Sequence, residues 1–244
     1  MKKLALFLLA AILFFSFSCE KKATGPITQK PSFTIYGAVI KDLNLSKDIA
    51  AFTVSRNDTL YNGATVKVGN KIIPNSGSGA YYQEFSDTTF HVMTSYIDSI
   101  ISSPDTVNIT FGFAMPDIFS ASINPADSVN ENALAVVVTW TTSDSATAYI
   151  ISVVKGDTIP GAVLYKAIVT GPQTTIPQDA FRKLNGVPVS GLYWVYMVAY
   201  NKSFVSYPNI PFTLPSNLPA NNISGATGTI GAGVIARKVV IRVL

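Results

Sequence analysis

The sequence predicts an all-β protein made of tandem antiparallel β-sandwich domains. From residue 31 onward, short runs rich in Val, Ile, Thr, Tyr and Phe recur roughly every 8 to 15 residues, separated by Gly, Pro, Asn, Asp and Ser. No window keeps a helical apolar period for long, so helix should be limited to one turn near residues 177–184. With 14 Phe and 11 Tyr, the chain has enough apolar area for packed cores, which excludes intrinsic disorder.

Residues 1–18 are predicted to be a signal peptide. Lys2 and Lys3 form a positively charged start, and the uncharged apolar run over residues 4–15 is too short to cross a bilayer as a mature helix. Residues 16–19, Ser-Phe-Ser-Cys, resemble the lipobox of bacterial lipoproteins. This resemblance implies that Cys19 carries diacylglycerol and a further acyl chain such as palmitate. The alternative is an ordinary small-x-small cleavage site followed by an incidental free thiol.

Residues 19–30 are predicted to be a lipidated tether. Cys19 is the only cysteine, and the segment after it, residues 20–26, contains no core-forming residue. Acyl chains contribute about 0.8 kcal/mol per buried CH2, so more than one chain holds a domain at a membrane surface. The expected membrane contact is therefore through the acyl chains on Cys19. Glu20, in place of the aspartate linked to inner-membrane retention, favours the outer membrane of the cell envelope.

Residues 31–115 are predicted to form an N-terminal β-sandwich domain. Gly69 with Asn70, and the Asn-Ser-Gly-Ser-Gly run at residues 75–79, supply turn chemistry between strands. A boundary is expected at Met-Pro-Asp, residues 115–117. The candidate strands are residues 33–40, 49–55, 64–68, 80–85, 89–96 and 107–114.

Residues 116–215 resemble a fibronectin type III module. The pattern is carried by an early strand ending in Trp140, a following strand starting near Tyr149, and a late strand with the form Tyr-x-Val-x-Met-x-Ala-x-Asn from Tyr193 to Asn201. The resemblance implies an immunoglobulin-like sandwich in which Tyr193 packs as a tyrosine corner. It implies a fold rather than a function, because sandwich modules carry many unrelated roles.

Residues 216–244 are predicted to be a Gly-rich linker followed by a C-terminal edge strand. Val239, Ile241 and Val243 alternate with Lys238, Val240 and Arg242, which is the period of a half-buried strand. The basic side chains on its outer face suit an edge position, where they discourage pairing with other molecules.

The residues that most catalytic sites need are scarce. His91 is the only imidazole, and its neighbours Phe90 and Val92 indicate a strand rather than a nucleophile elbow. One cysteine and one histidine exclude a disulfide and a His-based zinc site, and no calcium or phosphate loop is present. We therefore expect no catalytic residues, no metal and no cofactor. Nucleic acid is also an unexpected partner, because basic residues are not clustered.

The late strand is apolar on both faces. Trp194, Tyr196, Val198 and Tyr200 alternate with the expected core-facing set. One interpretation is a binding platform of Trp194, Tyr196 and Tyr200 for a sugar ring or an envelope protein, because Trp and Tyr give large contact areas with a polar tip. The alternative is that a neighbouring domain or the C-terminal strand covers this face.

A tripeptide of Asp, then Ser or Thr, then an apolar residue or Thr occurs seven times. It resembles the O-glycosylation acceptor motif of Bacteroidetes-type bacteria. The alternative is that Asp-capped turns leading into β-branched strands generate the same pattern. The candidate acceptors are Thr59, Thr88, Ser99, Thr106, Ser128, Ser145 and Thr158.

Together these features predict a lipid-anchored cell-envelope protein of the Bacteroidetes type that acts as a non-catalytic binding or scaffolding module. One alternative is an accessory carbohydrate-processing hydrolase, which would need a cleft between domains lined by acids such as Glu131 or Asp179. Another alternative is a purely structural spacer.

Overall fold

The computed structural model describes residues 32–102, 107–124, 128–129, 135–156, 163–181, 189–202 and 223–244. Most of these residues lie in strands or turns, and a 3-10 turn, η1, covers Gln178–Phe181. The all-β prediction is confirmed, as is the short helical turn near residues 177–184. None of the helices in this part of the chain is long and apolar enough to cross a membrane.

The first half of the described chain contributes nine strands. They are β1 (Phe33–Asp42), β2 (Lys47–Arg56), β3 (Thr59–Leu60), β4 (Ala64–Val68), β5 (Lys71–Ile73), β6 (Asn75–Gly77), β7 (Ala80–Ser86), β8 (Ser95–Ser102) and β9 (Val107–Ala114).

The second half of the described chain contributes ten more. They are β10 (Ala121–Asn124), β11 (Ser128–Val129), β12 (Ala135–Trp140), β13 (Ala148–Lys155), β14 (Val163–Val169), β15 (Gln173–Pro177), β16 (Gly191–Lys202), β17 (Ile223–Ser224), β18 (Thr227–Ile235) and β19 (Val239–Val243).

These strands form three sheets. The largest has the order β11-β19-β16-β18-β1-β2-β7-β6, with β13 on the other edge of β16, β14 beyond β13, and β3 paired to β2. A five-stranded sheet has the order β17-β9-β8-β4-β5, and a three-stranded sheet has the order β10-β12-β15.

The first sandwich packs β1 and β2 of the large sheet against the five-stranded sheet. Ile35 and Val39 on β1 are fully buried, because alternate residues of a strand point to the same face. The rings of Phe52 on β2 and Phe111 on β9 lie 5.8 Å apart and join the two sheets.

A buried ion pair fixes one end of this sandwich. Lys41 Nζ donates to Asp48 Oδ1 at 2.6 Å across β1 and β2, and also to the carbonyl oxygen of Asp87. The N–H of Phe90 donates to Asp48 Oδ2 at 2.7 Å. The pair thereby holds the connection from β7 in one sheet to β8 in the other. The strand expected over residues 89–96 begins only at Ser95, because the backbone near Phe90 is tied to this pair.

The second sandwich packs the three-stranded sheet against β13 and β16. Trp140 and Phe119 each lie against Tyr149, with ring centres 5.2 Å and 5.5 Å apart. Tyr193 Oη donates to the carbonyl oxygens of Val189 at 2.6 Å and Phe181 at 3.1 Å. The tyrosine corner implied by the sequence resemblance is therefore present.

A single sheet contains strands from both sides of the expected boundary at residues 115–117. β18 pairs with β1 in parallel and with β16 in antiparallel. The segment interpreted as a Gly-rich linker is thus part of a strand, which corrects that interpretation. The glycines are there because the backbones of β18 and β1 approach each other closely. A Cβ on Gly228, whose φ is 113°, would lie 1.8 Å from the carbonyl oxygen of Ile35. The domain boundaries themselves stay predictions.

The C-terminal strand β19 is the second strand of the large sheet, between β16 and the two-residue strand β11. β19 pairs along its length with β16 on one side. On the other side, its partner among the described residues is the two-residue strand β11, opposite Arg242 and Val243. The segment before Arg242 therefore has an edge that no described strand occupies.

Candidate binding surface

The two faces of β16 separate as the alternation predicted. Tyr193, Val195, Met197 and Ala199 belong to the main core between the sheets. On the opposite face, Val198 and Tyr200 join a second apolar cluster. Its buried members are Ala38, Ile40, Ile49, Ala148, Ile150, Val198, Tyr200 and Ile235.

This second cluster changes the interpretation of the aromatic face. Tyr200 is only 1% exposed, so it does not offer a contact surface to a ligand. The sequence could not show this, because the neighbours of Tyr200 on β18 and β1 come from distant parts of the chain. Trp194 and Tyr196 are half-buried, with ring centres 6.3 Å apart in an edge-to-face arrangement.

The C-terminal segment covers part of the Trp194 ring. Lys238 Nζ lies 3.7 Å from the ring centre, a cation–π contact. Burial raises the pKa of the Tyr196 hydroxyl, and the charge of Asp42 raises it further. Burial alone raises the pKa of Tyr200. Both tyrosine hydroxyls therefore stay neutral at physiological pH. The binding role of Trp194 and Tyr196 stays a prediction.

An apolar groove lies beside this face. It is bounded by residues 118–123, which lead into and form part of β10, and by residues 237–240 at the start of β19. Its volume is about 650 Å³, within the range of pockets that bind ligands. Phe119 forms a buried part of the wall, whereas Ile118 is 50% and Val240 44% exposed. The lining residues are Leu43, Ile118, Phe119, Ser120, Ala121, Ser122, Ile123, Arg237, Lys238, Val239 and Val240.

The hairpin between β1 and β2 fixes one end of the groove. Asp42 Oδ1 accepts hydrogen bonds from the N–H groups of Asn44 and Leu45, which shapes the turn. Asn44 then holds the C-terminal segment: its Nδ2 donates to the carbonyl oxygen of Ala236 at 2.9 Å, and its Oδ1 accepts from the N–H of Lys238 at 2.7 Å.

A β-bulge lies between β18 and β19. Between the pairs Val198–Ile235 and Val195–Val239, three residues of the C-terminal segment stand opposite two residues of β16. An extra residue of this kind bends a strand locally and increases its twist. The sequence did not predict this site, although the Arg237-Lys238 pair followed by two valines was an available signal.

The described lining of the groove is apolar and basic. Among the described residues that line it, two are basic and none carries a carboxylate or an imidazole. Asp179 is exposed on η1 and does not line the groove, and Glu131 lies outside the described residues. His91 is exposed in the connection that precedes β8. Within the described ranges, no three His, Cys, Asp or Glu side chains are grouped as a metal site would need.

The candidate glycosylation positions differ in their surroundings. Thr59 is exposed after a turn whose residues Asn57 and Asp58 both have positive φ, the pattern of a type I′ hairpin. Thr88 and Ser145 are exposed in turns. Ser99 is half-buried within β8, so a loop-to-strand junction does not account for its motif.

Four predicted positions lie outside the described residues or have side chains that the structure does not describe. Cys19, Thr106 and Thr158 fall in ranges that the structure does not describe. The backbone of Ser128 lies in β11, opposite Arg242. Lipidation and glycosylation at these positions stay predictions.

Comparison with known proteins gives matches among solved structures. No family model and no curated protein sequence matches the chain. The FN1–FN3 domains of chicken CNTN1 are 14% identical at a TM-score of 0.30; the match covers 87% of this chain and 66%, just under two thirds, of that one. The fibronectin(III)-like modules of Clostridium thermocellum CbhA are 12% identical at a TM-score of 0.29, with coverages of 84% and 92%.

A third match is to domains A168–A170 of titin, which are 10% identical at a TM-score of 0.25, with coverages of 85% and 65%. TM-scores of this size give no residue-level correspondence. The sandwich fold of this chain therefore rests on its own strand pairing and packing.

Proposed function

We propose that the protein is a lipid-anchored cell-envelope protein whose fibronectin type III-like body acts as a non-catalytic binding or scaffolding module. The observation that carries this proposal is the groove beside β19, whose described lining combines exposed Ile118 and Val240 with the basic residues Arg237 and Lys238. An exposed apolar surface rimmed by polar residues is typical of an interaction site.

The spacer alternative is favoured by one observation. Tyr200 and Val198 are buried, so this part of the second face of β16 is used for packing. A pure spacer, however, does not need a groove that binds a partner. A binding experiment on the groove therefore distinguishes a spacer from a binding module.

Binding is tested by retention of envelope material on the immobilised full chain. We compare the wild-type protein with an Ile118→Glu/Val240→Glu variant, which places charge in the groove. The matched control is Leu60→Glu/Ile72→Glu, which adds the same charge at exposed apolar residues elsewhere. We expect the groove variant to lose retained protein or glycan and the control to keep it. Equal retention by all three proteins contradicts the proposal and supports the spacer.

Anchoring is tested on protein from the native organism. Mass spectrometry of the N-terminal peptide should show Cys19 at the mature N-terminus, carrying diacylglycerol and an N-linked acyl chain. A Cys19→Ser variant should leave the membrane fraction. An unmodified thiol in the wild-type protein contradicts lipidation, whatever the result of the binding experiment.

A further inference from the structure

We infer that Asn62 is a site of spontaneous chemical modification, at which the backbone nitrogen of Gly63 attacks the Asn62 side chain and ammonia is released. The products are aspartate and isoaspartate at position 62. This inference goes beyond the proposed function and does not depend on it. The supporting observations are the unbonded N–H of Gly63, the hydrogen bonds to the Asn62 side chain, and the packing that requires glycine at position 63.

The attacking nitrogen belongs to the connection between β3 and β4. Asn62 and Gly63 are both exposed there, so water and hydroxide reach them. Among the described residues, none accepts a hydrogen bond from the N–H of Gly63. This nitrogen can therefore lose its proton without first breaking a hydrogen bond of the kind that protects a strand amide. Gly63 also has no side chain to block the approach.

The side-chain oxygen of Asn62 is held by two donors. The N–H of Gly79 donates to Asn62 Oδ1 at 2.6 Å, and Asn75 Nδ2 donates to the same oxygen at 3.1 Å. Both donors are fixed in turn. The carbonyl oxygen of Gly79 accepts from the N–H of Val54, and Asn75 Oδ1 accepts from the N–H of Gly77. Donors aimed at an oxygen that becomes negatively charged stabilise the tetrahedral intermediate.

The reaction needs only water and hydroxide. Hydroxide removes the proton of the Gly63 N–H, and the nitrogen forms a bond to Asn62 Cγ while Oδ1 takes up the electron pair of the C=O bond. When that bond forms again, the Cγ–Nδ2 bond breaks, and Nδ2 takes a proton from water and leaves as ammonia. Water then opens the resulting succinimide ring at either carbonyl, which gives aspartate or isoaspartate. The net change is the replacement of an amino group by a hydroxyl group.

Packing requires the glycine that makes this reaction easy. A Cβ on Gly63 would lie 2.4 Å from the hydroxyl oxygen of Tyr61. That hydroxyl is hydrogen-bonded to Ser102 Oγ at 3.1 Å. The Tyr61 ring lies edge-to-face with Phe33 at 5.9 Å, and the guanidinium carbon of Arg56 is 5.6 Å from its centre. A side chain at position 63 would have to displace this anchored ring, so the sequence keeps a reactive Asn-Gly pair here.

The inference is tested by peptide mapping of the full chain after incubation at neutral and alkaline pH. The readout is the mass change of the peptide that contains Asn62, with chromatographic separation of aspartate from isoaspartate. We expect conversion at Asn62 that speeds up in proportion to hydroxide and is at least as fast in native protein as in urea. Asn70 is the internal comparison, because it is exposed but followed by Lys71, and it should stay unmodified.

Two variants with the same added charge test the role of the donors. Asn75→Asp keeps the acceptor for the N–H of Gly77 and removes the donor to Asn62 Oδ1. We expect it to slow conversion of Asn62 about threefold or more, the effect of one neutral hydrogen bond. Asn70→Asp adds the same charge in a neighbouring exposed turn and should leave the rate unchanged. Thermal melting of each variant establishes that it is folded.

The two products should differ in stability. An aspartate at position 62 keeps the acceptor oxygens, so Asn62→Asp should melt as wild type does. Isoaspartate lengthens the main chain by one carbon just before Ala64, whose N–H donates to Tyr81 Oη at 3.0 Å. Protein that has accumulated isoaspartate should therefore melt at a lower temperature than Asn62→Asp.

Three results would each overturn the inference. The first is native protein that stays unmodified at Asn62 while protein in urea is converted. The second is equal conversion at Asn62 and Asn70, and the third is folded Asn75→Asp that reacts as fast as wild type. None of these results bears on the groove beside β19, so the proposed function stands or falls on its own binding experiment.

Discussion

The ammonium group of Lys238 lies 3.7 Å from the centre of the Trp194 ring, so the C-terminal segment covers part of the aromatic face of β16. The same lysine is held through its backbone N–H by Asn44 of the β1–β2 hairpin. One residue therefore links three segments that are far apart in the sequence, and it separates the aromatic face from the groove.

Removing the Lys238 side chain should expose Trp194. We expect Lys238→Ala to increase quenching of tryptophan fluorescence by acrylamide and to lower stability by about 0.5–1 kcal/mol. Trp140, the other tryptophan, is buried, so the change reports Trp194. Lys238→Met keeps the aliphatic stem and should keep most of the shielding. Equal quenching of Lys238→Ala and wild type would show that the ring is not covered in solution.

The buried pair of Lys41 and Asp48 should be essential for folding. Asp48→Ala leaves a buried ammonium and the N–H of Phe90 without their acceptor, and we expect a loss of about 3–5 kcal/mol in the free energy of unfolding. Urea denaturation measures it. The matched control is Glu84→Gln, which removes the charge paired with partly exposed Lys47 across β2 and β7 and should move the midpoint much less than Asp48→Ala does. Similar midpoints for both variants would contradict the prediction.

The Glu84 pair gives a pH dependence with a defined sign. Hydrogen bonds from Lys47, and then from Tyr82, hold the pKa of Glu84 below its ordinary value of 4.5. The pKa is lower in the folded than in the unfolded state, so the stabilisation is present above pH 4.5 and is lost as the pH falls through the folded-state pKa. The stability difference between wild type and Glu84→Gln should therefore shrink below pH 4.5. A constant difference across this range would exclude the linkage.

The hydroxyl of Tyr193 should stabilise the second sandwich. Tyr193→Phe removes the donor to Val189 and Phe181 and leaves their carbonyl oxygens without this partner. We expect a loss of about 1–3 kcal/mol, measured by urea denaturation. Tyr36→Phe, at an exposed tyrosine of β1, is the control and should be nearly neutral. If the two variants are equally stable, the tyrosine corner contributes no net stability.

Gly228 should tolerate no side chain. In Gly228→Ala the new Cβ would overlap the backbone of Ile35, so β18 must move away from β1. We expect a loss of about 2 kcal/mol or more, since overpacking alone costs about 1–3 kcal/mol. Gly171→Ala is the control, because a Cβ there meets no atom within 4 Å. A normal melting temperature for Gly228→Ala would show that the parallel pairing is not as close as described.

Glycosylation should favour the exposed motifs. We expect protein from the native host to carry glycan at Thr59, Thr88 and Ser145, which are exposed in or beside turns, in preference to half-buried Ser99. Intact mass followed by peptide mapping measures the sites. A mass that the acyl chains fully explain would remove this hypothesis and leave turn formation as the reason for the repeated tripeptide.

Local patterns in the sequence determined the secondary structure and much of the packing. The two-residue period of β16 separated Tyr193 from Trp194 correctly, and the Tyr-to-Asn spacing identified the tyrosine corner. These features depend on residues close in the sequence, where strand alternation alone decides which side chains share a face.

Only the tertiary structure decided how the strands are joined and which surfaces stay open. The pairing of β1 with β18 brings together segments about as far apart as the chain allows, and the glycines that permit it look like a linker in the sequence. That pairing buries Tyr200, positions Lys238 over Trp194, and leaves the Val240 side chain exposed at the groove. Long-range strand pairing depends on the complementarity of whole strands in three dimensions, which the period and composition of each strand do not specify.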